Sequence, residues 1–268
     1  MGNNKWWGLA VGLSILALTA TAAAPNLSDP VLQDYIVGDR YSGYVISIPE
    51  TRTMQDDDFD NPGFLWIDQA WELWSRTEGK AGKSCASCHS KNPDSMKGVA
   101  TKYPKVIGGG LKTIAHRING CRRANMKADE WKWESDEMLG MSALVRLQSR
   151  GMPIDVKIDG DAARFYKQGE KFYHQRRGAL DLACNHCHGI NHGRKVRSEL
   201  LSMGMPNGFP TYRLKWQKLG SLHRRFRGCN KNIRSEPYKT GSPIYTALEL
   251  YLMSRAQGLL IETPSVRK

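Results

Sequence analysis

Two five-residue words constrain this chain more than any other feature: Cys85-Ala86-Ser87-Cys88-His89 and Cys184-Asn185-His186-Cys187-His188. C-x-x-C-H is the attachment signature of a c-type haem. The spacing has a chemical reason. Two thiols on neighbouring turns reach the two vinyl groups of one porphyrin, and the histidine points its imidazole at the iron from the proximal side. On this reading Cys85, Cys88, Cys184 and Cys187 hold two covalently bound haem c groups, with His89 and His188 as axial ligands. Half a zinc site or a redox C-x-x-C is the alternative for one isolated copy. Two copies behind an export segment favour haem.

That segment is residues 1–24. Lys5 supplies the charge, Trp6 to Ala20 is almost entirely apolar, and Thr21-Ala22-Ala23-Ala24 offers small residues for cleavage before Pro25. The apolar run falls short of the ~20 residues of a secure membrane span. The expectation is a periplasmic protein with no stable membrane insertion after cleavage; an uncleaved anchor is the alternative. At 268 residues, 40% hydrophobic and 24% charged, the chain has room for two small soluble domains and is neither polytopic nor disordered. Lysine and arginine number 39 against 26 acidic residues, a formal net charge of +13. The basic residues are spread along the chain and the compartment is exported, which argues against nucleic acid and for a small anion or an acidic protein partner.

The surroundings of the motifs repeat as well. Before the first, Asn61-Pro62 reads as a helix cap and first turn, followed by Leu65, Trp66, Ala70 and Leu73, with Gly79 as the stop. Before the second, Ala162, Phe165, Tyr166, Gly169, Phe172 and Tyr173 share one helical face. After each motif come a loop, a Gly-Cys pair (Gly120-Cys121, Gly228-Cys229) with an arginine four residues before the cysteine (Arg117, Arg225), and a second apolar helix. These last helices carry Met138, Met141, Leu144 and Val145, or Ile244, Leu248, Tyr251 and Leu252. They stop near Gly151 and Gly258, 30 and 29 residues beyond their cysteines. The plan resembles the cytochrome c fold, with Gly169 expected where the first and last helices cross. The predicted fold class is all-α: two tandem cytochrome c-like domains over residues 59–156 and 157–268, with an N-terminal arm over residues 25–58. Asp56-Asp57-Asp58 in that arm reads as a solvated acidic turn.

The position opposite each proximal histidine is open to several side chains. Met152, Met203 and Met205 are candidates, and a thioether would raise the haem potential. His116 and His223 are available too. The repeat favours Cys121 and Cys229, which occupy equivalent places; a Cys121–Cys229 disulfide is the structural alternative. A thiolate ligand would depress the potential.

Taken together, the two motifs, Gly120-Cys121 and above all Arg224-Arg225-Phe226-Arg227-Gly228-Cys229-Asn230 resemble the SoxA family, di-haem subunits of the sulfur-oxidising SoxAX complex. The resemblance runs from about residue 30 to the end and is most specific over residues 222–261. It implies an L-cysteine S-thiosulfotransferase. Thiosulfate is joined to a cysteine of a SoxYZ-like carrier as a cysteine S-thiosulfonate, and two electrons leave through haem to a cytochrome c. It further implies a SoxX-like mono-haem partner subunit. Cys229 would be axial ligand and catalytic centre, Arg225 catalytic and substrate-binding, and Cys121 the other thiolate ligand. An arginine fork suits a sulfonate, and Arg255 on the last helix is a further substrate-binding candidate by position. The competing functions are a di-haem electron carrier without sulfur chemistry and a di-haem peroxidase.

Overall fold

Each haem motif stands between two helices, and the helices of each pair cross. The computed structural model describes residue 2, residues 26–196 and residues 199–268. The export segment therefore lies outside the described residues except for Gly2. The α-helices are α1 (Pro49–Asp56), α2 (Phe64–Ser75), α3 (Ala86–His89), α4 (Ile114–Cys121), α5 (Asp136–Leu147), α6 (Ala163–His174), α7 (Leu222–Asn232) and α8 (Pro243–Arg255). None of the helices among the described residues is long and apolar enough to cross a membrane.

In the second half, α6 crosses α8 at Gly169. A Cβ there would lie 2.1 Å from the carbonyl oxygen of Ala247, so no side chain fits. In the first half α2 crosses α5 in the same way, but the permissive residue is on the other helix. A Cβ on Gly140 would lie 2.4 Å from the Trp66 carbonyl oxygen. The Trp66 indole also donates to Asp136 across the crossing at 2.9 Å.

The start of α2 departs from expectation. Pro62 is not its first residue: the helix begins at Phe64 behind Gly63. Asn61 instead organises the turn, accepting from the Gly63 amide at 2.9 Å and donating to the Pro264 carbonyl at 2.9 Å. The buried face is Ile67, Ala70 and Trp74, while Leu65 is exposed.

An all-helical fold is corrected to a mostly helical one. Among the described residues nine strands of two or three residues occur, because the long connections fold back as hairpins. Two hairpins occupy matching places. Strands Lys105–Ile107 and Gly110–Lys112 lead directly into α4, and Thr211–Arg213 and Lys218–Gly220 lead directly into α7. The C-terminal strand Ser265–Arg267 pairs in parallel with Thr211–Arg213.

Residues 26–58 are bound down rather than hanging free. Leu32, Tyr41, Tyr44 and Val45 are buried in a core that also contains Leu144, Met253 and Val266 from both halves. Gln55 of α1 accepts from the Val266 amide at 3.1 Å. The acidic turn is partly engaged: Asp56 accepts from the Tyr44 hydroxyl, and Asp58 holds Arg150 through bonds of 2.5 and 2.8 Å. The chain between the halves is tied in too, with the Ile154 amide on the Leu259 carbonyl and the Ile261 amide on the Met152 carbonyl, both at 3.0 Å.

Candidate functional site

The second motif begins just before a wide helical turn, His186–Ile190. His188 Nδ1 donates to the carbonyl of Ser202 at 2.8 Å. That bond sets the tautomer and leaves Nε2 as the free ligand nitrogen. Gly204 stacks against the ring: with φ of +72°, its Cβ would lie 3.0 Å from His188 Cγ. Residues 202–204 thus form the backing of the proximal histidine. Met203 belongs to this wall and its sulfur accepts from the Tyr41 amide at 3.4 Å, which removes it as the opposing ligand. Met205 is buried and follows Gly204 in the chain.

Arg255 also lies on this side. Its guanidinium donates to the Tyr173 hydroxyl at 2.7 Å, the Met203 carbonyl at 3.1 Å and the His188 carbonyl at 3.4 Å. It lies 4.7 Å over the Tyr173 ring. Substrate binding is the expectation for Arg255 by position; in the structure three of its donors strap the proximal segment together.

Cys229 is presented by α7. Ser221 caps the helix by accepting from the Arg224 amide at 3.0 Å, and Leu222 and Phe226 bury one face. Asn230 locks the far end, donating to the Phe226 carbonyl at 2.8 Å and to the Tyr245 hydroxyl at 3.1 Å, and accepting from Arg177 at 2.9 Å. Arg225, one turn before Cys229, lies on the same side of the helix. Burial pushes the Cys229 thiol up, but Arg225, the adjacent His188 imidazole and Arg213 outweigh it and bring the thiol down from 9.0 to about 7. Such a cluster of positive groups around a sulfur stabilises its anion.

Arg213 escaped the sequence reading. It is the last residue of the strand Thr211–Arg213, is buried, and is held by the Lys268 carbonyl at 2.9 and 2.5 Å. Burial first, and neighbouring Arg225 second, depress its own affinity for a proton to about 10. No motif marks it; only the pairing of that strand brings it beside Cys229.

The first motif is built less deeply. Cys88 and His89 are exposed, and the Trp74 ring centroid is 6.0 Å from that of His89. Cys121 is the last residue of α4. Tyr103 and Cys85 lie near it, and Arg117 lies beside Tyr103. Burial raises the Cys85 thiol to about 11 and the Cys184 thiol to about 12. All six cysteines are free, and each lone cysteine neighbours its own motif, so the Cys121–Cys229 disulfide is absent.

His116 and His223 are both committed elsewhere. His116 Nδ1 accepts from the Thr113 amide at 3.3 Å and its Nε2 faces the Gly241 carbonyl at 3.3 Å. His223 accepts from the Gly241 amide at 2.9 Å and faces Glu249 at 3.2 Å. Met152 lies beside Gly98, downstream of the first motif.

The donor set suits haem c. Cys184, Cys187 and the His188 side chain all lie near Cys229, and the bond from Nδ1 to Ser202 leaves His188 Nε2 for a metal.

Comparison with known proteins agrees. The model of the SoxA/TsdA cytochrome c domain matches residues 69–154. The L-cysteine S-thiosulfotransferase subunit SoxA of Rhodovulum sulfidophilum is 42% identical over 228 residues, 84% of this chain and 79% of that protein. The subunit of the same name from Pseudaminobacter salicylatoxidans is 36% identical over 96% of this chain and 95% of that protein. The crystal structure of SoxXA from P. pantotrophus superposes with a TM-score of 0.84 at 41% identity, over 89% of this chain and 90% of that one. With its cytochrome c-like helix crossings and this degree of identity over most of its length, the chain belongs to the SoxA family.

Proposed function

We propose that the chain is a periplasmic di-haem subunit of an L-cysteine S-thiosulfotransferase, exported by residues 1–24 and paired with a SoxX-like mono-haem cytochrome. The observation that carries this reading is the placement of Cys229 next to the His188 side chain and within the field of Arg225 and Arg213. The relatives' shared name supports the activity, and the SoxXA neighbour supports the partner.

The chemistry follows from what the residues present. Thiosulfate is a dianion with one nucleophilic sulfur. Arg225 is charged and carries a planar fork that fits sulfonate oxygens, which would leave the outer sulfur directed at Cys229. Arg213 adds a second positive charge behind it. Coupling thiosulfate to a carrier thiol forms one sulfur–sulfur bond and releases one proton and two electrons. Bound haem supplies the electron acceptor for that oxidation, and an external cytochrome c carries the electrons away. The carrier is SoxYZ-like, presenting its cysteine to the same mouth. The positive charge around Cys229 would draw both thiosulfate and an acidic carrier, with rates that fall as salt rises.

The test is Cys229→Ala in the full complex. The expected result is loss of thiosulfate-dependent reduction of cytochrome c, with both haems still attached by intact mass. Unchanged turnover would reject the catalytic role and leave a di-haem electron carrier.

A further inference from the structure

One indole joins the two helices that carry the lone cysteines. Trp133 lies in the connection between α4 and α5. It stacks on His223 of α7 with centroids 4.9 Å apart and planes 11° apart. Its other neighbour is His116 of α4, edge-on at 4.9 Å and 77°. Both imidazoles are tied to the same residue: the Gly241 amide donates to His223 Nδ1 and the Gly241 carbonyl faces His116 Nε2. Gly241 has φ of +75°, and a Cβ on it would lie 2.6 Å from the Trp133 ring. Both rings are therefore held in one tautomer and one orientation on either side of the indole.

The next residue grips the same helix. Glu134 accepts from the Ser221 hydroxyl and, at 3.4 Å, from the Ser221 amide. Ser221 is the cap of α7. Deeper in the seam, Glu249 of α8 faces both His223 at 3.2 Å and Arg146 of α5 at 3.7 Å, all nearly inaccessible to solvent. The first half of the molecule thus holds the start of α7 at its cap, at His223 and through a buried ion pair. From Ser221 to Cys229 is eight residues, about 12 Å of rigid helix.

We infer that Trp133 is a positioning residue, a wedge by which the first haem unit sets where the Cys229 sulfur stands relative to His188. The inference rests on the reading of Cys229 as the ligand opposite His188. It gives the first unit a task that needs no electron to pass through it. Ligand placement is sensitive to such outer supports, because a metal–sulfur bond is tuned by small shifts of its holder.

The experiment is electron paramagnetic resonance of the oxidised holoprotein, with the second centre assigned by its loss in Cys229→Ala, together with the rate at which cyanide displaces the ligand. In Trp133→Ala the second centre's low-spin signal is expected to shift or broaden relative to the unaltered protein, and displacement is expected to quicken severalfold. Trp133→Phe, which keeps a stacking ring, should restore both. Leu32→Ala, a buried lesion in the N-terminal arm, should lower the melting temperature and move neither readout. A Trp133→Ala protein that carries both haems with signal and rate unchanged would overturn the inference, as would a Leu32→Ala effect of equal size. Should Trp133→Ala not accumulate, Ser221→Ala against Ser221→Thr carries the same prediction for the second centre alone. A wild-type protein with no thiolate signal at that centre would instead reject the ligand reading itself.

Discussion

The two haem-motif units share a plan and differ in what surrounds the lone cysteine. In each, a short hairpin runs into a hydroxyl cap, Thr113 or Ser221, eight residues before the cysteine, and an arginine sits four residues before it. In the first unit that arginine, Arg117, is exposed and lies beside Tyr103; in the second, Arg225 is half-buried and acts on Cys229. The hairpins differ at one position of consequence. The last residue of the leading strand is Ile107 in the first unit and Arg213 in the second. The first motif is open to solvent while the second is half-covered. On the proposed reading, a second cation and partial burial are what set the Cys229 surroundings apart from those of Cys121.

The comparison predicts its own largest contrast. Cys229→Ala should abolish thiosulfate turnover, whereas Cys121→Ala should leave it within the same order of magnitude; steady-state reduction of cytochrome c by the complex measures both. Arg225→Ala should lower kcat/KM for thiosulfate about 10- to 100-fold, the loss of one charge-assisted contact of ~1.5–3 kcal/mol. Arg117→Ala should change kcat/KM little, since its partner is a tyrosine of the first unit. The crossings should respond alike in both units. Gly169→Ala and Gly140→Ala each force a Cβ onto a backbone carbonyl, at about 1–3 kcal/mol, read as a lowered melting temperature of the holoprotein. Smallest is Arg213→Met, expected to raise KM for thiosulfate severalfold. Its mirror, Ile107→Arg, should create no activity at the first centre.

Much of this arrangement was legible in the residues. The C-x-x-C-H words, the Gly-Cys pairs and Gly169 each carry a local physical signal that survives into the fold. What was not legible depended on pairing between distant segments. Arg213 reaches Cys229 only because its strand sits between Lys218–Gly220 and Ser265–Arg267. Arg255 looked like a substrate ligand because it carries a charge near the end of α8; its true partners, Tyr173 and the carbonyls of Met203 and His188, come from three other places in the chain. Gly140 went unread as a crossing residue because it sits on the second helix of its pair where Gly169 sits on the first, so the two do not align. The methionines after the second motif looked like ligands by type, and the bond from His188 to Ser202 shows that this segment backs the opposite side.

Near-infrared magnetic circular dichroism of the oxidised holoprotein tests the central claim most directly, since the charge-transfer band reports which atom opposes each histidine. The account predicts a histidine–thiolate band for the second centre that vanishes in Cys229→Ala. A thioether or bis-imidazole band at that centre in the wild-type protein would contradict it.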